Sequence, residues 1–140
     1  MNQRVTLTTT QIDLIRDSLN RLQPDVAAAS ELFYQRLFEI APELRGMFRS
    51  DMAGQGMRFM TTLGVIAQCL DHPQALSTYL EWLAQGHAAF GVKAEHFPPM
   101  GQALIRTMRE TLGDEFPDGA AAAWETAYAH IADEMVRLAG

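Results

Sequence analysis

Residues 74–91, QALSTYLEWLAQGHAAFG, decide how this chain is read. Leu76, Leu80 and Leu83 recur at the spacing of one α-helical face, and His87 falls on the same face one turn further on. Asp71-His72-Pro73 before this segment and Gly91 after it are helix-breaking signals, so the helix spans about Gln74 to Ala89. A histidine in that stripe points inward. On composition alone, a buried and hydrogen-bonded histidine is the ordinary reading, and a metal ligand is the alternative.

Helical periodicity extends to both sides. Thr10 with Asp13 has the form of an N-cap with a first-turn acid, and Ile12, Ile15, Leu19 and Leu22 follow at helical spacing. Pro24-Asp25 restarts the chain, and Val26, Ala29, Leu32, Phe33, Leu37 and Ile40 form a second stripe that stops at Ala41-Pro42. A short segment from Pro42 to Phe48 precedes a loop over Arg49–Gly54. A long helix from about Gln55 to Leu70 then carries Phe59, Leu63, Ile66 and Leu70. Pro98-Pro99 opens a helix that reaches Leu112-Gly113, and a last one runs from about Asp118 to Leu138. No short segment combines strict alternation with β-branched and aromatic residues. The expectation is an all-α domain of six or seven helices, with residues 1–140 forming one domain.

Composition narrows the function. With 140 residues, roughly 68% of the unfolded surface can be buried, which supports one proper core. The net charge of −6 argues against nucleic acid or an anionic membrane as principal partner. No apolar run approaches the ~20 residues of a membrane helix. Cys69 is the single cysteine, so no internal disulfide forms, and it is expected to be a buried small apolar residue. The first residues lack an apolar signal core, which makes the cytoplasm the expected location. Of the other histidines, His72 lies in a turn, His130 reads as a surface or boundary residue of the last helix, and His96 sits at a helix start.

Four blocks in series bear on the choice left open at His87. They are Leu32-Phe33-Tyr34-Gln35-Arg36-Leu37-Phe38 with Pro42-Glu43-Leu44 and Met47-Phe48; His87, Gly91-Val92, His96-Phe97 and Gly101; Leu112-Gly113; and Ala123-Trp124 with Ala127-Tyr128. In order and spacing they resemble the globins, in particular bacterial single-domain globins and the haem domain of flavohaemoglobins. The resemblance runs from about Thr10 to Leu138. It implies the globin fold enclosing haem b, with His87 as the iron's proximal ligand and the Leu83 carbonyl, one turn back, as partner of its other N–H.

The resemblance implies roles for further residues. Phe48 matches the phenylalanine that packs on the haem face. Tyr34 and Gln55 match the distal pair, with a phenol O–H and an amide N–H aimed at an iron-bound ligand that gains negative charge. Phe59, one turn beyond Gln55, shares its face; Arg58 is a candidate for a haem propionate; Leu83, Val92, Phe97 and Met100 are expected pocket walls. Ordinary core packing, or a solvated arginine, is the plain alternative for each of these. Met57, one of eight methionines, lies near the distal site in sequence but on another face than Gln55.

Two departures from the flavohaemoglobin pattern stand out. The tyrosine that pairs with the proximal histidine there is Phe97 here. The companion glutamate's register falls near Ala139, with Asp133 and Glu134 the nearest acids. A more neutral proximal imidazole is expected, which disfavours peroxidase-like chemistry. The short loop between Phe48 and Gln55 is expected to restrict distal motion, and Gln55 in place of a histidine makes bis-histidine ligation unexpected.

The expected function is reversible binding of dioxygen, and of other diatomic ligands such as carbon monoxide and nitric oxide, for storage, delivery, transport or sensing. The alternative is a nitric oxide dioxygenase served by a separate reductase, since no flavin domain is expected after Gly140. A haemless regulator built on the same fold is the third reading. A monomer or weak homodimer is expected.

Overall fold

The structure is a computed structural model that describes residues 7–47, 52–89 and 94–139. Its first helix, α1 (Thr9–Leu22), begins with a reciprocal cap. The Thr8 hydroxyl accepts from the Gln11 N–H at 3.1 Å, and the Gln11 side-chain oxygen accepts from the Thr8 N–H at 2.8 Å. The cap is therefore Thr8, not Thr10. Gln11 reaches back to the cap's own N–H, so two unsatisfied donors are closed at once, and Thr9 and Thr10 become the first turn.

A 3-10 turn at Gln23–Asp25, with Pro24 in its first positions, leads into α2 (Val26–Ile40). A 3-10 helix over Pro42–Met47 follows. The next helix, α3 (Met52–Cys69), starts three residues before the expected Gln55. Gly54 reads as a loop residue, but one glycine costs a helix only about 1 kcal/mol and does not stop it. Gln55 thus lies in the first turn of α3 rather than at its opening.

The remaining helices are α4 (Pro73–Ala89), α5 (Phe97–Leu112) and α6 (Asp118–Ala139). At the end of α5, Gly113 adopts φ +55°, a conformation that a side chain would strain. All regular structure among the described residues is helical, as the periodicity predicts, and no helix is long and apolar enough to cross a membrane.

The predicted stripes are the packed faces. Ile12, Ile15 and Leu22 of α1, Phe33 and Leu37 of α2, Leu63, Ile66 and Leu70 of α3, and Leu76, Leu80 and Leu83 of α4 are all buried. Cys69 departs from expectation: it is half-buried at the core's edge, because α3 turns it away from the Leu63–Ile66–Leu70 face.

Polar groups pin the helices to one another. The Trp124 indole donates to the Ser18 hydroxyl at 2.7 Å, joining α6 to α1, and that hydroxyl donates to the Ile15 carbonyl at 2.7 Å. Arg16 closes the end of α3, donating to the Ala67 and Gln68 carbonyls at 2.9 and 3.1 Å and pairing with Asp71. A cation at a helix C-terminus satisfies orphan carbonyls and meets the negative end of the helix dipole.

Where α2 crosses α5, Arg36 holds Glu110 through both oxygens at 2.6 Å and reaches Glu39 at 2.8 Å. Arg36 keeps the Glu110 carboxyl below the usual glutamate range. A carboxylate held lower in the folded than in the unfolded chain contributes stability above its unfolded pKa, and that contribution fades as pH falls through the folded value. Glu110→Gln is therefore expected to lower stability at neutral pH and to flatten the decline on acidification. Urea titrations at a series of pH values check this, and parallel curves for the two proteins would contradict it.

Candidate functional site

Tyr34 lies in the middle of α2 and is 5% exposed. Its ring stacks on Phe38 with centroids 5.9 Å apart and meets Phe33 edge-on at 5.3 Å. Phe33 in turn lies flat on Phe59 of α3 at 4.5 Å. The aromatic run of α2 is thus continued across the helix crossing by the α3 residue expected on the distal face. Burial raises the Tyr34 phenol to about 12, partly offset by the charge of Arg58. At neutral pH the hydroxyl is a neutral donor in an apolar wall. Arg58 itself is exposed, at the rim of that wall.

The opposite side is α4. With Leu80 at 1% and Leu83 at 8% exposure, the stripe faces inward as predicted, and the helix continues unbroken past His87 to Ala89. His87 therefore keeps the register of Leu80 and Leu83. The side chains of Gln55 and His87, and residues Phe48 and Val92 altogether, lie outside the described residues. His72 and His130 are exposed, and His96 occupies the N-cap position of α5 without its side chain capping the helix.

Between these two sides the packing is open. Among the described residues α3 rests chiefly on α2 and α4 chiefly on α6, α3 meets α4 more sparsely, and neither packs closely on α5. Phe59, Phe97 and Met100 are packed against the core on one side yet remain half-buried. Large apolar side chains with an uncovered face are what a flat apolar group would complete.

A further tie sets the floor of this region. Tyr128 donates to the Phe97 carbonyl at 2.8 Å, and its ring rests on Gly101, where an added Cβ would come within 2.7 Å of it. Burial pushes the Tyr128 phenol well up, so it stays a donor. The sequence shows that Phe97 lacks a hydroxyl, but not that a phenol reaches its backbone from α6. Glu134, one of the two acids nearest the missing glutamate, is buried and ion-paired with Arg137, while Asp133 is exposed.

An open groove of about 1020 Å³ at the junction of α3 and α4, lined in part by Val65, Cys69, Tyr79 and Trp82, lies off this face. Val65 and Cys69 point away from the Phe59–Leu63–Ile66 stripe, and Trp82 is 66% exposed.

The family model described as Globin matches residues 31–135, three-quarters of the chain. The chain belongs to the globin family. Among its relatives are a flavohemoprotein of Chromobacterium violaceum, 32% identical over 128 residues, and one of Rhizobium meliloti, 30% identical over 129. These alignments cover 89% and 90% of this globin and 32% of each relative, so the chain spans about a third of the curated relatives' length. A solved structure with TM-score 0.83 and 29% identity covers 96% of this chain and 94% of its own. It is the engineered carbene transferase RmaNOD, from a protein of Rhodothermus marinus assigned as a nitric oxide dioxygenase. The globin fold expected from the sequence is the fold observed.

Proposed function

We propose that this globin holds haem b in the cleft between α3 and α4 and binds dioxygen reversibly. The observation that carries the reading is Tyr34, a buried phenol with a raised pKa whose ring wall runs through Phe33 to Phe59. The half-buried Phe59, Phe97 and Met100 fit a flat apolar macrocycle. When bound, haem supplies a ferrous iron as the centre for a diatomic ligand.

The residues then divide the work. His87 supplies the proximal nitrogen, with the Leu83 carbonyl one turn back as acceptor for its other N–H. Tyr34 and Gln55 donate toward a ligand that gains negative charge, and Arg58, at the rim, meets a propionate. Phe48, Phe59, Leu83, Val92, Phe97 and Met100 wall the site and exclude water. With Phe97 in the tyrosine's place and Glu134, one of the two acids nearest the missing glutamate, paired with Arg137, a more neutral proximal imidazole is expected. Strong and slowly released dioxygen binding follows from two distal donors.

A second reading draws on the flavohemoprotein relatives and the neighbour assigned as a nitric oxide dioxygenase. That reaction joins dioxygen, nitric oxide and one electron to give nitrate, so it needs a reductase at each turnover. Absorption spectra of the purified protein, as isolated, reduced, and then exposed to dioxygen or carbon monoxide, test the first reading. A Soret band that shifts with each ligand is expected; a colourless protein that takes up no added haemin would overturn it. Sustained nitric oxide consumption with an added flavin reductase would support the second reading, whereas a single turnover that stalls at ferric haem would favour binding alone.

A further inference from the structure

The place where α2 crosses α3 is set by two small residues. A Cβ added at Gly56 would lie 2.8 Å from the Ser30 Cβ and 3.1 Å from Cε2 of the Tyr34 ring. The first distance is below what carbon atoms tolerate, and the second leaves the ring no slack. Ser30 has little room to yield. It is 2% exposed, its hydroxyl donates to the Val26 carbonyl at 2.8 Å, and the Met57 sulfur lies 3.8 Å from that oxygen. Tyr34, one turn along α2, also meets Phe33 edge-on and stacks on Phe38. The ring's resting place therefore depends on its contacts with Phe33 and Phe38 and on the missing side chain at position 56.

We infer that Gly56 is a positioning residue for the distal donor: by lacking a side chain it lets the Tyr34 ring settle against α3 and so aims the phenol O–H. The inference deepens the dioxygen-binding reading and rests on Tyr34 being the donor in it. Hydrogen bonds weaken steeply with distance and angle, so a ring displaced by a few tenths of an ångström loses much of its grip on a small ligand. Ligand discrimination would then be tuned from a residue that does not itself touch the ligand.

Two readouts on the carbon monoxide complex of the full chain separate the inference from the reading beneath it. One is the tyrosine 13Cζ resonance of the ring, identified as the signal lost in Tyr34→Phe. The other is the infrared C–O stretch, which senses a nearby donor. In Gly56→Ala the Tyr34 resonance is expected to move, the C–O stretch to shift toward its value in Tyr34→Phe, and dioxygen release to quicken by about three- to tenfold. Adding Gly56→Ala to Tyr34→Phe is expected to change neither the stretch nor the release rate further.

An unmoved Tyr34 resonance would overturn the role of Gly56. So would an equal shift of the stretch with and without the phenol. A moved resonance with an unchanged stretch would keep Gly56 as the residue that positions the ring and would instead sink Tyr34 as donor. Should Gly56→Ala fold poorly, Ser30→Gly/Gly56→Ala removes the 2.8 Å contact and keeps the one to the ring. That protein is expected to show the same displaced resonance. A resonance at the wild-type position would mean that helix spacing at Ser30, and not the contact with the ring, carries the effect.

Discussion

His87→Ala protein is expected to fold with its helices intact and to lose most of its haem. Two features of α4 argue for this separation of fold from cofactor. The helix runs through position 87 to Ala89, and alanine is the best helix former, so the substitution costs the helix nothing. The anchors of α4 on α6 and the core are Leu76, Leu80, Leu83 and Ala84, each under 10% exposed, and none of them is altered. What disappears is the one side chain in that register able to bond iron. Far-UV circular dichroism is expected to match the parent, while the ratio of Soret to 280 nm absorbance collapses. Imidazole added to the buffer is expected to restore part of the band by occupying the vacated space. A variant that keeps its haem and an unchanged spectrum would remove His87 from the metal site.

The register that supports this prediction was legible because helical periodicity is local. Leu76, Leu80 and Leu83 lie within two turns, and each came out on the buried face. The same holds for Leu63, Ile66 and Leu70 on α3. Helix ends were less legible. The true cap at Thr8 depends on a side chain three residues later turning back, and the start of α3 on how little one glycine costs. Long-range partners were not legible at all. Nothing near Ser18 in sequence announces Trp124, 106 residues away, nor does Arg36 announce Glu110 across 74.

The candidate site shows the same division. Phe59 could be assigned to an inward face from spacing and Tyr34 only through the resemblance, and their link through Phe33 is a property of how α2 lies on α3. The tie from Tyr128 to the Phe97 carbonyl and the close approach at Gly56 are likewise set by crossing geometry. A glycine in a helix is an unremarkable letter until the neighbouring helix is seen to occupy the space beside it.

Tyr34→Phe is expected to speed dioxygen release by roughly ten- to a hundredfold, the equivalent of losing one hydrogen bond of about 1.5–3 kcal/mol to a charged acceptor. The substitution is nearly isosteric. Its ring keeps the stack on Phe38 and the edge contact with Phe33, so packing is preserved and only the hydroxyl is lost. Dioxygen entry, which does not require the bond to be formed, is expected to change far less, and flash photolysis with rapid mixing resolves the two rates. The pH dependence gives a second check. Burial raises the phenol to about 12, so the folded chain holds this proton more firmly than the unfolded one. The stabilising contribution of the neutral phenol is therefore complete below the ordinary tyrosine pKa and is lost only as pH climbs through the raised value. The ratio of release rates between Tyr34→Phe and the parent is accordingly expected to stay flat from about pH 6 to 10 and to fall toward one only as the phenol ionises. A ratio near one at neutral pH would take the distal role from Tyr34. A ratio that already falls between pH 7 and 9 would instead mean that a group other than this phenol, one titrating in that range, governs release.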